Sequence, residues 1–152
     1  MSGSYHNLHV PPTLIAFAVG TVDVRHVISP EYKQKNQQIY WLRCPQDALG
    51  RPDLAAFAAN NRFILEATRE GNIKSIRAVR HGGIIQALYE SALGNHIGVH
   101  IDRLEDPFQP EYGGYLITSD GGLGISEHLH HLGYTTDDGN LTINGQTAAI
   151  QD

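Results

Sequence analysis

The sequence holds one cysteine, Cys44, in 152 residues. A lone thiol excludes any internal disulfide, and one thiol fits a reducing compartment. Cys44 has no CxxC partner and stands beside Pro45 at the end of an apolar run, so it is expected to be a buried structural thiol. Basic residues are also few: eleven Lys and Arg stand against sixteen Asp and Glu, for a formal charge of −5. They are scattered, which argues against a broad nucleic-acid surface. A small anionic ligand is not excluded, since it needs only a few local donors. No charged segment precedes an apolar leader, and no apolar run approaches the length of a membrane span. The expectation is a soluble, cytoplasmic protein without nucleic-acid or membrane partners. There is no GxSxG, no Walker loop and no Cys–His pair with supporting context, so no protein nucleophile stands out.

Sixteen glycines and seven prolines point to many turns between short elements, and a hydrophobic fraction of 41% is ordinary for a globular chain. Residues 1–9 read as a loop. Residues 13–24, after Pro11-Pro12, are rich in Ile, Val and Phe and read as a long buried strand. Strands are also expected at 38–42, 73–79, 97–101 and 114–118. Gly50-Arg51-Pro52-Asp53 signals a helix start, with Leu54, Phe57, Ala58, Ile64, Leu65 and Thr68 near one face and Gly71 as the stop. Gly82-Gly83 opens a second helix, which Gly94-Asn95 ends. A third helix is expected at 123–132, with Ile125, Leu129 and Leu132 on its apolar side. Asn144-Gly145 between two short apolar runs is a hairpin signal. The pattern predicts an α+β fold: a single domain over 1–152, a three-layer α/β sandwich with a mixed, largely antiparallel sheet.

Among candidate sites, Ala78-Val79-Arg80-His81-Gly82-Gly83-Ile84 is the most informative. A strand ends and a helix begins there, and paired glycines let backbone amides approach an anion. Arg80 and His81 add charge or hydrogen bonds; a plain strand-to-helix turn is the competing reading. Ser119-Asp120-Gly121-Gly122-Leu123 could cradle a phosphate, but reads better as a polar turn in which Ser119 or Asp120 caps a helix. His128 and His131 have the helical spacing of metal ligands, although a solvated helix face beside Glu127 explains them, and no metal site is assigned. Tyr112, Tyr115, Phe108 and Phe17 read as core before pocket. Asp102, Glu105 and Asp106 read as a solvated loop before a Mg²⁺ site.

Three stretches in order resemble the second synthetase module of large-type phosphoribosylformylglycinamidine synthase. The first is Met1-Ser2-Gly3-Ser4 with Val10 to Val19, followed by Asp23-Val24-Arg25 and Ser29-Pro30-Glu31-Tyr32-Lys33, the last similar to Thr-Pro-x-x-Lys. The second is Arg80-His81-Gly82-Gly83-Ile84 with Glu90-Ser91-Ala92-Leu93-Gly94 and Gly98-Val99-His100-Ile101. It is similar to Ser-Asp-Gly-Gly-Leu, a helix ending in Glu-Met-Ala-x-Gly, and Gly-x-x-Ile. The third is Tyr112-Gly113-Gly114-Tyr115-Leu116-Ile117, similar to the strand after Ser-Glu-x-x-Gly, and it leads on to Leu132-Gly133-Tyr134 and Leu141-Thr142-Ile143. Ser119 to Leu123 matches the Ser-Asp-Gly-Gly-Leu letters but comes too late in the order.

The resemblance implies the C-terminal half of that module, with a fold like the C-terminal domain of aminoimidazole ribonucleotide synthetase. It implies an ATP- and Mg²⁺-dependent ligase that converts formylglycinamide ribonucleotide and glutamine to the formylglycinamidine ribonucleotide. Met1 falls inside the family's Gly-Lys-Asp-Ser region, so a fragment that is inactive alone is expected. Its partners would be the remaining ligase domains and nucleotide substrates, with a homodimer as the other assembly. The resemblance places Arg80, His81, Gly82 and Gly83 at a nucleotide or phosphate. It also exposes a departure: the family's Asp-x-Ser-Asp-Gly-Gly carries a Mg²⁺-serving Asp and a nucleotide-facing Ser where this chain has Ala78 and Arg80. The Mg–nucleotide role therefore does not transfer, and Arg80 would stand in for the cation by direct pairing. The alternatives are a non-catalytic structural, dimerisation or phosphate-binding module of the same fold, or a relative such as aminoimidazole ribonucleotide synthetase, selenophosphate synthetase or a hydrogenase maturation protein.

Overall fold

The computed structural model describes residues 3–151; Met1 and Ser2, the start of the expected opening loop, lie outside the described residues. The chain forms β1 (Gly3–Tyr5), β2 (Leu8–Val10), a 3₁₀ turn (Val24–His26), β3 (Gln38–Leu42), α1 (Leu54–Arg69), β4 (Ser75–Ala78) and α2 (Gly83–Leu93). β5 (Gly98–Ile101), β6 (Tyr115–Ser119), β7 (Leu129–Thr136), β8 (Asn140–Ile143) and β9 (Gln146–Ala149) follow. A seven-stranded sheet runs β4-β6-β3-β7-β5-β8-β9. Only β5 and β8 pair in parallel; the other ladders are antiparallel. The expected mixed, largely antiparallel α+β sheet is what forms.

The three layers follow from strand alternation. Ile39 and Trp41 of β3 face one cluster with Ile84, Ala87, Leu88 and Ala92 of α2. Tyr40 and Leu42 face the other, with Phe63, Ile64 and Ala67 of α1. The two helices thus cover opposite faces. Helix α2 does so with residues 84, 87, 88, 91 and 92 buried, the one-faced helical spacing.

Local signals fix the helix ends. The Asp53 carboxylate accepts from the Ala55 and Ala56 amides at 2.8 and 2.9 Å. Gly71 closes α1 at φ +75°, with its N–H on Thr68 O and the Asn72 N–H on Ala67 O, a Schellman arrangement. Asn144 and Gly145 take φ of +53° and +75°, as a two-residue I′ hairpin turn requires.

Three expectations are corrected. Residues 3–10 form a short hairpin rather than a loop. Residues 13–24 are not a buried strand: no strand lies between the end of β2 at Val10 and the turn at Val24–His26, and Leu14, Phe17 and Val19 are at least 90% exposed. A strand needs a ladder neighbour, and none of the described strands pairs with this segment. The third helix at 123–132 is absent. Ile125, expected on its inner face, is fully exposed, and β7 instead fills the gap between β3 and β5. Two ladders outweigh a three-residue helical pattern, and Gly133 admits the strand, since a Cβ there would lie 2.0 Å from His100 O. On the other side of β7, a register shift between Ile39 and Tyr40 interrupts the ladder with β3.

Because Asp53 satisfies two first-turn amides, Asp53→Ala is expected to lower stability by about 1 kcal/mol. Urea unfolding followed by circular dichroism checks this; an unchanged midpoint would count against the capping role.

Candidate functional site

The Arg80–Gly83 segment sits where β4 passes into α2, as expected. Gly83 is buried at φ +71°, and a Cβ there would lie 2.5 Å from Pro107 O and 2.7 Å from the Phe108 carbonyl carbon. Only glycine fits that position. The close approach brings the 107–111 loop against the turn. The Ile85 N–H donates to Pro107 O at 3.0 Å, the Gly83 N–H to Arg80 O at 3.0 Å, and the Glu111 N–H to Arg80 O at 3.3 Å. Two amides expected to face an anion are therefore already spent on carbonyls. The Gln86 carboxamide folds over Gly82, and its Oε1 is buried without a partner. Arg80 and His81 are exposed. What the turn offers a ligand is chiefly these two side chains.

On the other side of the same loop lies a polar cavity of about 320 Å³, lined among others by Arg43, Gln46, Gln109, Glu111, His128 and His130. It opens at the same end of the sheet, since Leu42 of β3 pairs with both Tyr115 and Leu129 and Ala78 of β4 pairs with Tyr115. Glu111 is 4% exposed. Its Oε1 accepts from the Cys44 N–H at 3.0 Å, and Arg43 Nε lies 3.5 Å from its Oε2. Burial pushes the Glu111 carboxyl above the usual carboxylate range, against the opposing pull of the Cys44 amide and Arg43. Arg43 is fixed from a second direction, its guanidinium lying 4.4 Å from the Trp41 ring centroid. Burial and the neighbouring Arg43 push the His130 imidazole down, which favours its neutral form. Burial, then Glu111 and Asp53, push the Cys44 thiol up, away from the reactive thiolate. This cavity was not anticipated. Its residues come from the end of β3, the 107–111 loop and the start of β7, and the one hint in the sequence is a single acid ahead of Gly113-Gly114.

The other candidates do not join it. Ser119 ends β6 at the opposite end of the sheet, paired with Gln38. No helix follows, so neither Ser119 nor Asp120 caps one. Asp120 instead accepts from Gln37 and Gln34 at 2.9 and 3.2 Å and pairs with Lys74 at 3.4 Å, and these contacts hold its carboxyl below the usual range. His128 and His131 lose their helical spacing: His131 meets Gln38 and Tyr40 while His128 faces the cavity. Asp102 and Glu105 pair with His100 and Arg103. Of the aromatics, Tyr115 packs in the α1-side core and donates to Asn61, whereas Phe17, Phe108 and Tyr112 are exposed. No helix among the described residues is long and apolar enough to cross a membrane.

No known family profile matches the sequence, and no curated protein matches it. Solved structures do. Phosphoribosylformylglycinamidine synthase II from Thermotoga maritima superposes with a TM-score of 0.71 at 14% identity, over 86% of this chain and 28% of that one. The T. maritima PurL complexed with AMPPCP gives 0.68 at 14% identity, over 86% and 27%. Hydrogenase maturation protein HypE in complex with ATP gives 0.58 at 16% identity, over 86% and 54%. The fold is PurM-like. This chain spans about a quarter of the synthase chains and about half of HypE.

The Glu111 environment generates a test. The folded protein favours the protonated carboxyl, so this group's stabilising contribution is present below its ordinary value of 4.5 and lost as pH rises through the raised one. Urea midpoints of wild type and Glu111→Gln, measured from about pH 4 to about pH 8, are expected to diverge with rising pH to the disadvantage of wild type. Parallel curves would show that Glu111 titrates as an ordinary carboxyl.

Proposed function

We propose that this chain is one domain of an ATP-dependent carbon–nitrogen ligase of the phosphoribosylformylglycinamidine synthase kind, and that alone it does not catalyse the reaction. The parent activity would take formylglycinamide ribonucleotide, glutamine, ATP and Mg²⁺ in purine biosynthesis. The observation that carries the reading is the Arg80-His81-Gly82-Gly83 turn, at the strand-to-helix junction where the sequence resemblance places the family's Ser-Asp-Gly-Gly, in a chain whose fold matches that synthase. A further feature supports a partial site. Ala78 and Arg80 replace the family's Asp and Ser, so any Mg²⁺ serving a nucleotide here would take its ligands from other domains of the ligase.

The chemistry this segment supplies is electrostatic. Phosphoryl transfer to an amide oxygen is helped by positioned positive charge rather than by a protein nucleophile. Arg80, exposed at the head of α2, would pair directly with a phosphate and replace part of the charge that the missing metal ligand would have recruited. His81 beside it would add a hydrogen bond.

The second reading, a non-catalytic structural or dimerisation module, is favoured by the spent amides of Gly83 and Ile85. Calorimetric titration with ATP and ADP, each with and without Mg²⁺, separates the two. Under the first reading both nucleotides bind, and Arg80→Ala weakens them by roughly tenfold or more, as expected for loss of a charge-assisted pair. Absence of binding, or binding indifferent to Arg80→Ala, would remove the turn from the site and give the structural module the lead.

A further inference from the structure

The geometry points to a second recognition element, independent of the Arg80 turn: we propose that Arg43 anchors the oxyanion of a small ligand, a carboxylate or a phosphate ester, in the cavity between β3, the 107–111 loop and the start of β7. The argument rests on how the guanidinium is held. Its face lies on the Trp41 ring at 4.4 Å, and its Nε is turned to the Glu111 carboxylate at 3.5 Å. These two contacts restrain the group, while the side chain as a whole stays 46% exposed. Among the described residues, neither Nη1 nor Nη2 has a hydrogen-bond partner. They are two nitrogens of the fork that binds carboxylate and phosphate oxygens bidentately. A surface arginine is ordinarily a mobile cation whose ordering costs entropy when it binds. Here much of that cost is met in the folded state, so more of the pairing energy is left for a ligand.

The surroundings set the kind of ligand. The cavity of about 320 Å³ is at the small end of ligand-sized sites. Gln46, Gln109 and His128 bring carboxamide and imidazole groups able to hydrogen-bond the remainder of a polar molecule. Glu111 does not repel the anion as a free carboxylate would. It is 4% exposed, and its two oxygens are turned to the Cys44 N–H at 3.0 Å and to Arg43 Nε at 3.5 Å. His130 also lines an adjoining cavity of about 240 Å³ together with Arg43 and Trp41, so any molecule seated on the guanidinium is close to the indole.

Trp41 is the only tryptophan in the sequence, which makes it a built-in reporter. The full chain would be titrated with sodium phosphate and, separately, with sodium acetate at constant ionic strength. Trp41 emission and the indole N–H resonance are the two readouts. The expected result is a saturable change in both with at least one anion. Arg43→Lys, which keeps the charge but loses the fork, should shift the midpoint at least about tenfold upward. Saturation by phosphate alone identifies phosphate esters as the ligand class, by acetate alone carboxylates, and by both a shared oxyanion site. Circular dichroism of Arg43→Lys confirms that it is folded. The proposal is overturned if neither anion gives a saturable change, or if Arg43→Lys keeps the wild-type midpoint. Loss of the response in Arg80→Ala instead would overturn it too, by placing the anion at the α2 turn. Nucleotide binding at Arg80 can fail while this site stands, and the reverse, because the two arginines are scored separately.

Discussion

The end of the sheet that carries the candidate site depends on keeping one carboxylate out of water. Glu111 is inserted behind the end of β3, where the Cys44 amide and Arg43 meet it, and it fastens the loop before β6 to the middle of the sheet. Gly114 makes the insertion possible, because a Cβ there would lie 1.9 Å from Glu111 Oε1. The same loop then reaches the head of α2, where Pro107 crosses Gly83 at a distance that admits no side chain. A buried acid is costly unless donors surround it. Here that cost is accepted at the one loop that borders both the cavity and the exposed arginine of the strand-to-helix turn.

Two glycines and one acid therefore determine what the sheet end presents. Behind them, Asn60 on α1 donates to Arg43 O at 2.8 Å, so the helix on the far face steadies the residue that lines the cavity. On the near face Arg77 joins β4 to α2 through Ser91 and Glu90, which ties the C-terminal end of the helix to the strand that feeds it. The layers are thus coupled mechanically to the site through polar contacts at their margins, while the apolar clusters supply the bulk of the packing. A PurM-like frame of this kind hosts more than one chemistry among the proteins it resembles, so activity has to be argued from the side chains it carries.

What was legible in the sequence was what is encoded locally. Asp53 and Gly71 announce the two ends of α1, Gly82-Gly83 the start of α2, and Asn144-Gly145 the last hairpin, because capping and turn conformations depend on a few adjacent residues. The Arg80–Gly83 turn was visible for the same reason. Non-local structure was not. Leu129 and Leu132 look helical at three-residue spacing, and only the vacancy between β3 and β5 makes them a strand. Residues 13–24 carry every mark of a buried strand except a neighbour, which no local pattern can report. The cavity was hidden by the same logic, since Arg43, Glu111 and His130 lie far apart in the chain and meet only after the sheet has assembled.

The position of β7 in the sheet has a consequence for the order of assembly. It lies between β3 and β5 yet is made of residues 129–136, so it joins β4, β6 and β3 on one side of the sheet to β5, β8 and β9 on the other. On the ribosome, helix α1 and the short-range β4–α2 contacts can form as they emerge, but the two halves of the sheet have no common seam until this stretch is synthesised. Folding of the sheet must then wait until residues 129–136 have been synthesised, with one edge of β3 uncovered in the meantime. A chain organised in this way has more to gain from a holdase during synthesis than its modest size would suggest.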